Sequence, residues 1–228
     1  NFQFISMDGG RMRNAIPRES VAFIAVQNSV KAIIEKEIAD FSDILKIEYS
    51  TIEKQLNIVS KETASSSKAV AKADALKIIQ TLYAVPNGVF RMSPDIEGLV
   101  ETSSSLARVI LKDGSFETQS LQRSSVETKK TDVANAIRTS FEIMGCTVAQ
   151  SGDYPGWKPD PNSPVLKNMV ELYRKMYNEE PQVKACHAGL ECGILGKHLP
   201  DVDMISFGPN IRAAHSPDEK VQISSVQK

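Results

Sequence analysis

A segment rich in proline and glycine, residues 152–161 with the sequence GDYPGWKPDP, constrains the fold more than any other feature of this chain. Proline removes a backbone donor and glycine adds backbone freedom, so such a run interrupts regular structure and is typical of a domain boundary. Ser163-Pro164 follows, an N-cap residue with proline at the first helical position. We therefore predict two parts, residues 1–157 and residues 158–228.

The first part has the pattern of antiparallel strands with accompanying helices. Residues 2–7 alternate in polarity, and residues 106–111 and 116–121 flank Asp113-Gly114, a strong hairpin signal. Apolar residues spaced by three and four predict helices, which interrupt the strands. This order favours an α+β module, with helices on one face of antiparallel sheets. Its further predicted elements are strands at 21–26 and 56–60 and helices at 30–45, 71–82 and 133–144.

The second part alternates helices with short strands, which suggests the edge of an α/β sheet. A helix is predicted after Pro164, strands at 183–186 and 204–207, and a short helix at 190–196. At about 70 residues this part is too small to form a stable domain alone. The first residues read as a strand and the last as a helix start, so we expect an internal piece of a larger protein.

Composition excludes several classes of function. The formal net charge is −1, which gives no basic surface for nucleic acid or for an anionic membrane. No apolar run approaches the roughly 18 residues that span a bilayer, and no export leader is visible. Three cysteines are an odd and sparse set, which fits a reducing compartment. We predict a cytoplasmic location without a nucleic-acid or membrane partner.

One group of residues with chemical potential lies in the second part. Cys186, His187, Glu191 and Cys192 fall within seven positions, but without the paired spacing of a zinc site, so buried thiols are the default interpretation. Gly189 stands where a turn enters a helix. It could let a substrate approach backbone N–H groups, or it could serve turn geometry alone.

Three further residues have both a structural and a functional interpretation. His215 precedes Ser216-Pro217-Asp218-Glu219, which is largely explained as a helix capping box, yet a histidine on such a rigid loop could bind a metal. Asn14 and Arg123 each lie beside a predicted strand. Either could hydrogen-bond a carboxylate, the arginine in a bidentate manner, or be an ordinary surface residue.

Longer motifs resolve this ambiguity by resemblance. Residues 183–226 contain HAGLECG, SFGP and HSPDE in one order, and together they closely resemble the C-terminal end of bacterial aminoacyl-histidine dipeptidases, members of a dizinc exopeptidase family. Upstream, GGRMRNAIPRES at 9–20, GLVETSSSLA at 98–107 and SLQRSS at 120–125 resemble the same dipeptidases. The resemblance covers essentially the whole chain.

The resemblance implies an architecture and a role for each candidate. Residues 1–157 would be most of a lid domain inserted in the chain, and residues 158–228 the C-terminal portion of an α/β catalytic domain. His215 would be a zinc ligand, and Asn14 and Arg123 would bind the substrate's C-terminal carboxylate. Gly189 would contribute its backbone to substrate binding, and His187 would line the pocket.

The resemblance also implies what this chain lacks. The family's His-x-Asp motif, bridging aspartate and Glu-Glu pair lie upstream of the lid, and no His-x-Asp occurs here. The implied activity is hydrolysis of Xaa-His dipeptides by a water held between two zinc ions, with none of the catalytic residues in this chain. We expect the isolated chain to be inactive. The partner is a dipeptide, and a homo-oligomer is allowed. Two alternatives remain open, namely a non-catalytic module for dimerisation or peptide-carboxylate binding, and a related enzyme with other dipeptide or acyl-amino-acid substrates.

Overall fold

Helices and antiparallel strands alternate along the chain in a computed structural model that describes residues 2–63, 68–185, 190–214 and 218–227. A short 3-10 turn at Asn28–Val30 precedes the first helix. The elements are β1 (Phe2–Gly9), β2 (Ser20–Val26), α1 (Lys31–Glu48), α2 (Lys72–Ala84), β3 (Gly88–Met92), β4 (Val100–Lys112), β5 (Ser115–Ser124), α3 (Glu127–Met144), α4 (Pro164–Tyr177), α5 (Glu191–His198), β6 (Ile211–Arg212), β7 (Lys220–Val221) and α6 (Ile223–Val226).

The main sheet has five strands in the order β2-β1-β4-β3, with β5 also paired to β4. β1 is antiparallel to both β2 and β4, and its pairing with β2 is shifted by a bulge between Phe4 and Ser6. β6 and β7 form a separate antiparallel pair. Antiparallel sheets combined with helices confirm the predicted α+β class.

The β4–β5 hairpin turns at the predicted dipeptide. Asp113 and Gly114 have φ values of 52° and 79°. Positive φ at both central residues is characteristic of a type I′ turn, whose twist matches that of the flanking strands. The hairpin is therefore fixed locally, by two residues whose backbone preference suits the turn.

The chain divides into two compact units, and four elements have residues in both. The first unit comprises the chain up to Gly88, Ser104–Leu121 and Asn135–Val148; the second comprises Val89–Ser103, Gln122–Ala134 and the chain from Ala149 onwards. The four elements are β3, which has only its first residue in the first unit, and β4, β5 and α3. The predicted domains, residues 1–157 and 158–228, stay a prediction.

The core of the first unit joins α2 to the sheet. Ala75 and Ile78 of α2 are buried against Phe4 of β1 and Leu111 of β4. The Val70 N–H donates to the Phe4 carbonyl at 2.7 Å, which attaches the chain leading into α2 to the edge of β1. Burying side chains of the size of Phe4, Ile78 and Leu111 contributes about 1.5–3 kcal/mol each.

α4 in the second unit begins as the sequence predicts. The Ser163 hydroxyl accepts the Leu166 N–H at 3.0 Å, with Pro164 at the first helical position. Asp203 accepts from the Ser163 hydroxyl and from the Val165 N–H, both at 2.8 Å. The helix N-terminus is thus capped by its own serine and by a carboxylate from a distant loop.

Several strand predictions are wrong. Residues 56–60, 183–185 and 204–207 are irregular, and β3 forms where no strand was predicted. An apolar run forms a strand only when a neighbouring strand satisfies its backbone groups, and local periodicity does not supply that partner. Across the described part of the chain, no helix is long and apolar enough to cross a membrane.

Candidate functional site

Arg123 lies one residue before the end of β5, in the second unit, and is half-buried. No aspartate or glutamate in the described ranges forms an ion pair with it. A partly buried guanidinium presents several donors in a planar fork that matches a carboxylate. Its position therefore suits the predicted role of binding a carboxylate.

The strand end that carries Arg123 is held firmly. The Ser124 hydroxyl is buried, lies 2.8 Å from the Thr102 hydroxyl, and accepts the Val126 N–H at 3.0 Å. The Ser125 N–H donates to the Glu101 carbonyl at 3.2 Å. These bonds tie the end of β5 to β4 and to the start of α3, so the Arg123 backbone has a defined position.

Glu101 is a buried carboxylate that the sequence analysis did not single out. Only 5% of the residue is exposed, and its Oε1 lies 3.2 Å from an Arg91 guanidinium nitrogen, at an angle too poor for a hydrogen bond. We assign the contact as an ion pair, because the charges are adjacent even though the donor is misaligned. The sequence offers one signal for this residue: Glu101–Ser105 begins with a charged side chain and continues with small polar ones.

Asn14 lies in the first unit, in the loop between β1 and β2, and is exposed. The Gly10 N–H donates to the Glu19 carbonyl at 3.0 Å and closes the loop, while the Ala15 N–H donates to the Met12 carbonyl at 3.2 Å. Asn14 sits within that inner turn. Its amide makes no hydrogen bond to another described residue, so binding of a carboxylate remains a prediction.

The other three candidates lie outside the described residues. His187 and Gly189 fall in the gap at 186–189, and His215 falls in the gap at 215–217. Within the described ranges, no three histidine, cysteine, aspartate or glutamate residues are close enough to hold a metal ion. The described residues therefore do not fit a metal centre on their own.

The segment that separates the predicted parts is anchored to the start of α3. The Gly156 N–H donates to a Glu127 carboxylate oxygen at 2.7 Å. The Lys130 ammonium donates to the Tyr154 carbonyl at 2.7 Å and pairs with Asp153 at 2.7 Å. Burial lowers the pKa of Lys130, but hydrogen bonds to Asp153 and Glu127 outweigh it and hold the pKa above its usual value. Lys130 is therefore a charged anchor at neutral pH.

A large open cleft lies in the second unit. Its volume is about 2200 Å³, and it is lined by residues of 153–161, α4, 181–185, α5 and 199–211. Pockets for small ligands usually measure about 300–1,000 Å³. The cleft is thus much larger than a dipeptide requires, and Arg123 does not line it.

Comparisons with known proteins agree on one family. Residues 15–228 match the model of Peptidase family M20/M25/M40. The chain is 38% identical over 226 residues to the cytosol non-specific dipeptidase of Escherichia coli (strain K12), covering 99% of this chain and 47% of that protein. The crystal structure of aminoacylhistidine dipeptidase from Vibrio alginolyticus matches with a TM-score of 0.88 and 35% identity, over 99% of this chain and 46% of that one. The chain spans about half the length of these relatives.

Proposed function

Because this chain belongs to peptidase family M20/M25/M40, we propose that the protein containing it is a cytoplasmic metallo-dipeptidase that hydrolyses Xaa-His dipeptides such as β-alanyl-histidine. The observation that carries the proposal is the match over 99% of the chain, at a TM-score of 0.88, to an aminoacylhistidine dipeptidase. The alternative of a non-catalytic module is less favoured, because both relatives are named as dipeptidases.

In this proposal the chain supplies substrate binding and one metal ligand. Arg123 and Asn14 bind the dipeptide's C-terminal carboxylate, Gly189 offers its backbone, His187 lines the pocket and His215 binds zinc. His215 would hold one of the ions, and two zinc ions would supply a bound water of lowered pKa and polarisation of the peptide carbonyl. A single histidine cannot hold two ions, so the remaining ligands and the general base come from outside these 228 residues.

The breadth of the substrate range is a second question. The relative from Escherichia coli is named as non-specific, which favours a broader range of dipeptides as the runner-up. A carboxylate-binding arginine recognises a feature shared by all dipeptides, so Arg123 alone gives no preference for histidine.

A substrate panel distinguishes the two ranges. We expect the full-length protein to cleave β-alanyl-histidine and alanyl-histidine with kcat/KM at least about tenfold above alanyl-alanine and alanyl-leucine, which corresponds to about 1.4 kcal/mol of discrimination. Equal values across the panel would contradict histidine selectivity and support the broader dipeptidase. Cleavage of acyl-amino acids in preference to every dipeptide would contradict both.

A further inference from the structure

Two glycines in the second unit make a close backbone contact, here called the glycine contact: Gly156 and Gly193 of α5. A Cβ on Gly193 would lie 2.5 Å from the Pro155 carbonyl oxygen and 3.3 Å from the carbonyl of Gly156. A Cβ on Gly156 would overlap the Ser124 carbonyl oxygen and lie 3.0 Å from the Ser125 Cα. Every one of these neighbours is a backbone atom, so none can swing aside as a side chain can.

Space, rather than backbone conformation, demands glycine at both positions. Neither residue has a positive φ, unlike Gly145 or Gly152, which have φ values of 97° and 71°. The chain therefore requires close approach of three backbone segments at this point.

The glycine contact joins the end of β5, which carries the predicted binding residue Arg123, to α5. On one side it touches Ser124 and Ser125, which directly follow Arg123 and are fixed to β4 and α3. On the other side it touches α5, which begins at Glu191, two residues after Gly189 in the sequence. Between them, the Gly156 N–H is held by Glu127 at 2.7 Å.

We propose that Gly156 and Gly193 are positioning residues that set the spacing between Arg123 and α5, and so align the dipeptide's carboxylate with the rest of the site. This inference rests on the proposed function. An added methyl at Gly193 must move from 2.5 Å to the ordinary 3.4 Å or more from the Pro155 oxygen, a displacement of about 1 Å. A misplacement of about 1 Å can cost about 100-fold in rate.

The test is steady-state kinetics on the full-length protein carrying Gly193→Ala. We expect kcat/KM for β-alanyl-histidine to fall about 10- to 100-fold, mainly through KM, because carboxylate binding is lost. The matched control is Gly196→Ala in the same helix, where an added Cβ meets only the terminal methyl of Met204, at 3.2 Å. Both substitutions raise helix propensity alike, and the control is expected to stay within about twofold of the unmutated protein.

A double-mutant cycle separates positioning from general damage. If Gly193 acts through Arg123, adding Gly193→Ala to Arg123→Ala costs less than about threefold more, because coupled residues are not additive. Fully additive losses would overturn the inference, as would a Gly193→Ala protein that matches the Gly196→Ala control.

A second variant covers the case in which Gly193→Ala does not fold. Glu127→Ala removes the acceptor of the Gly156 N–H from a half-exposed position, and we expect KM to rise about three- to tenfold, because the backbone at Gly156 is held less firmly without this hydrogen bond. Glu127→Gln keeps an acceptor oxygen and should recover most of the loss. Unchanged KM in Glu127→Ala would overturn the inference. If the unmutated, folded protein cleaves no dipeptide, the proposed function fails and the inference fails with it.

Discussion

At the scale of single residues, Arg123 is the described side chain best suited to bind a substrate. It is half-buried, lies on a strand end fixed by the Ser124–Thr102 hydrogen bond, and has no carboxylate partner in the described ranges. Asn14 is exposed on a loop and is less constrained. The predicted role therefore depends more on Arg123 than on Asn14.

Replacing Arg123 tests this role. We expect Arg123→Ala to lower kcat/KM for β-alanyl-histidine about 10- to 100-fold, mainly through KM, as for loss of a hydrogen bond to a charged group. Arg123→Lys should recover only part, because an ammonium lacks the planar fork. The control is Arg174→Ala, which removes an exposed arginine paired with Glu180. An unchanged KM in Arg123→Ala would refute carboxylate binding by this residue.

Sequence reasoning at this scale found residues whose role depends on type and motif, and missed residues whose role depends on packing. Arg123 was identified because it lies beside a strand within a recognisable motif. The burial of Glu101 follows from its place in the sheet, and the demand for glycine at Gly193 follows from the approach of Pro155. Neither the burial of Glu101 nor the need for glycine at Gly193 can be predicted from the local sequence.

At the scale of elements, the cap of α4 ties two distant segments together. Asp203 accepts hydrogen bonds from the Val165 N–H and the Ser163 hydroxyl, in that order of importance, and these hold the pKa of Asp203 below its ordinary value. A carboxyl with a lowered folded-state pKa contributes stability above its unfolded value of 3.8, and the contribution is lost as the pH falls through the lower folded value.

Asp203→Asn tests this linkage. We expect the substitution to lower the urea midpoint at pH 7, because the amide keeps an acceptor oxygen but loses the charge at the helix N-terminus. The difference in urea midpoint from the unmutated protein should shrink as the pH falls below 3.8 and Asp203 becomes protonated. The control is Asp201→Asn, because the Asp201 carboxylate makes no hydrogen bond to another described residue. Two curves that stay parallel down to pH 2 would contradict the assignment.

Elements fixed by local signals were predicted well, and elements that need a distant partner were not. The hairpin at Asp113-Gly114 and the α4 start at Ser163-Pro164 follow from turn and cap chemistry, and both are confirmed. The apolar runs at 183–185 and 204–207 have strand-like patterns but no strand partner in the described part of the chain. Pairing is a property of the whole sheet, which local periodicity does not specify.

At the scale of the whole molecule, family membership was predicted from motifs and is confirmed. Only part of the candidate site could be predicted from the sequence. The motifs at 183–226 identified the dipeptidases because several specific sequences occur in one order. The one predicted metal ligand, His215, lies outside the described residues, so the metal centre stays a prediction. Our central proposal is that this chain supplies substrate-binding residues and one metal ligand to a metallo-dipeptidase.

Hydrolysis of β-alanyl-histidine by the full-length protein tests that claim most directly, measured before chelation, after chelation and after zinc is restored, beside the 228-residue chain. We expect the full-length protein to cleave the dipeptide, chelator to abolish the cleavage and zinc to restore it, and the chain alone to show no cleavage. No cleavage by the folded, zinc-loaded protein would contradict the claim, and so would zinc-dependent cleavage by the isolated chain.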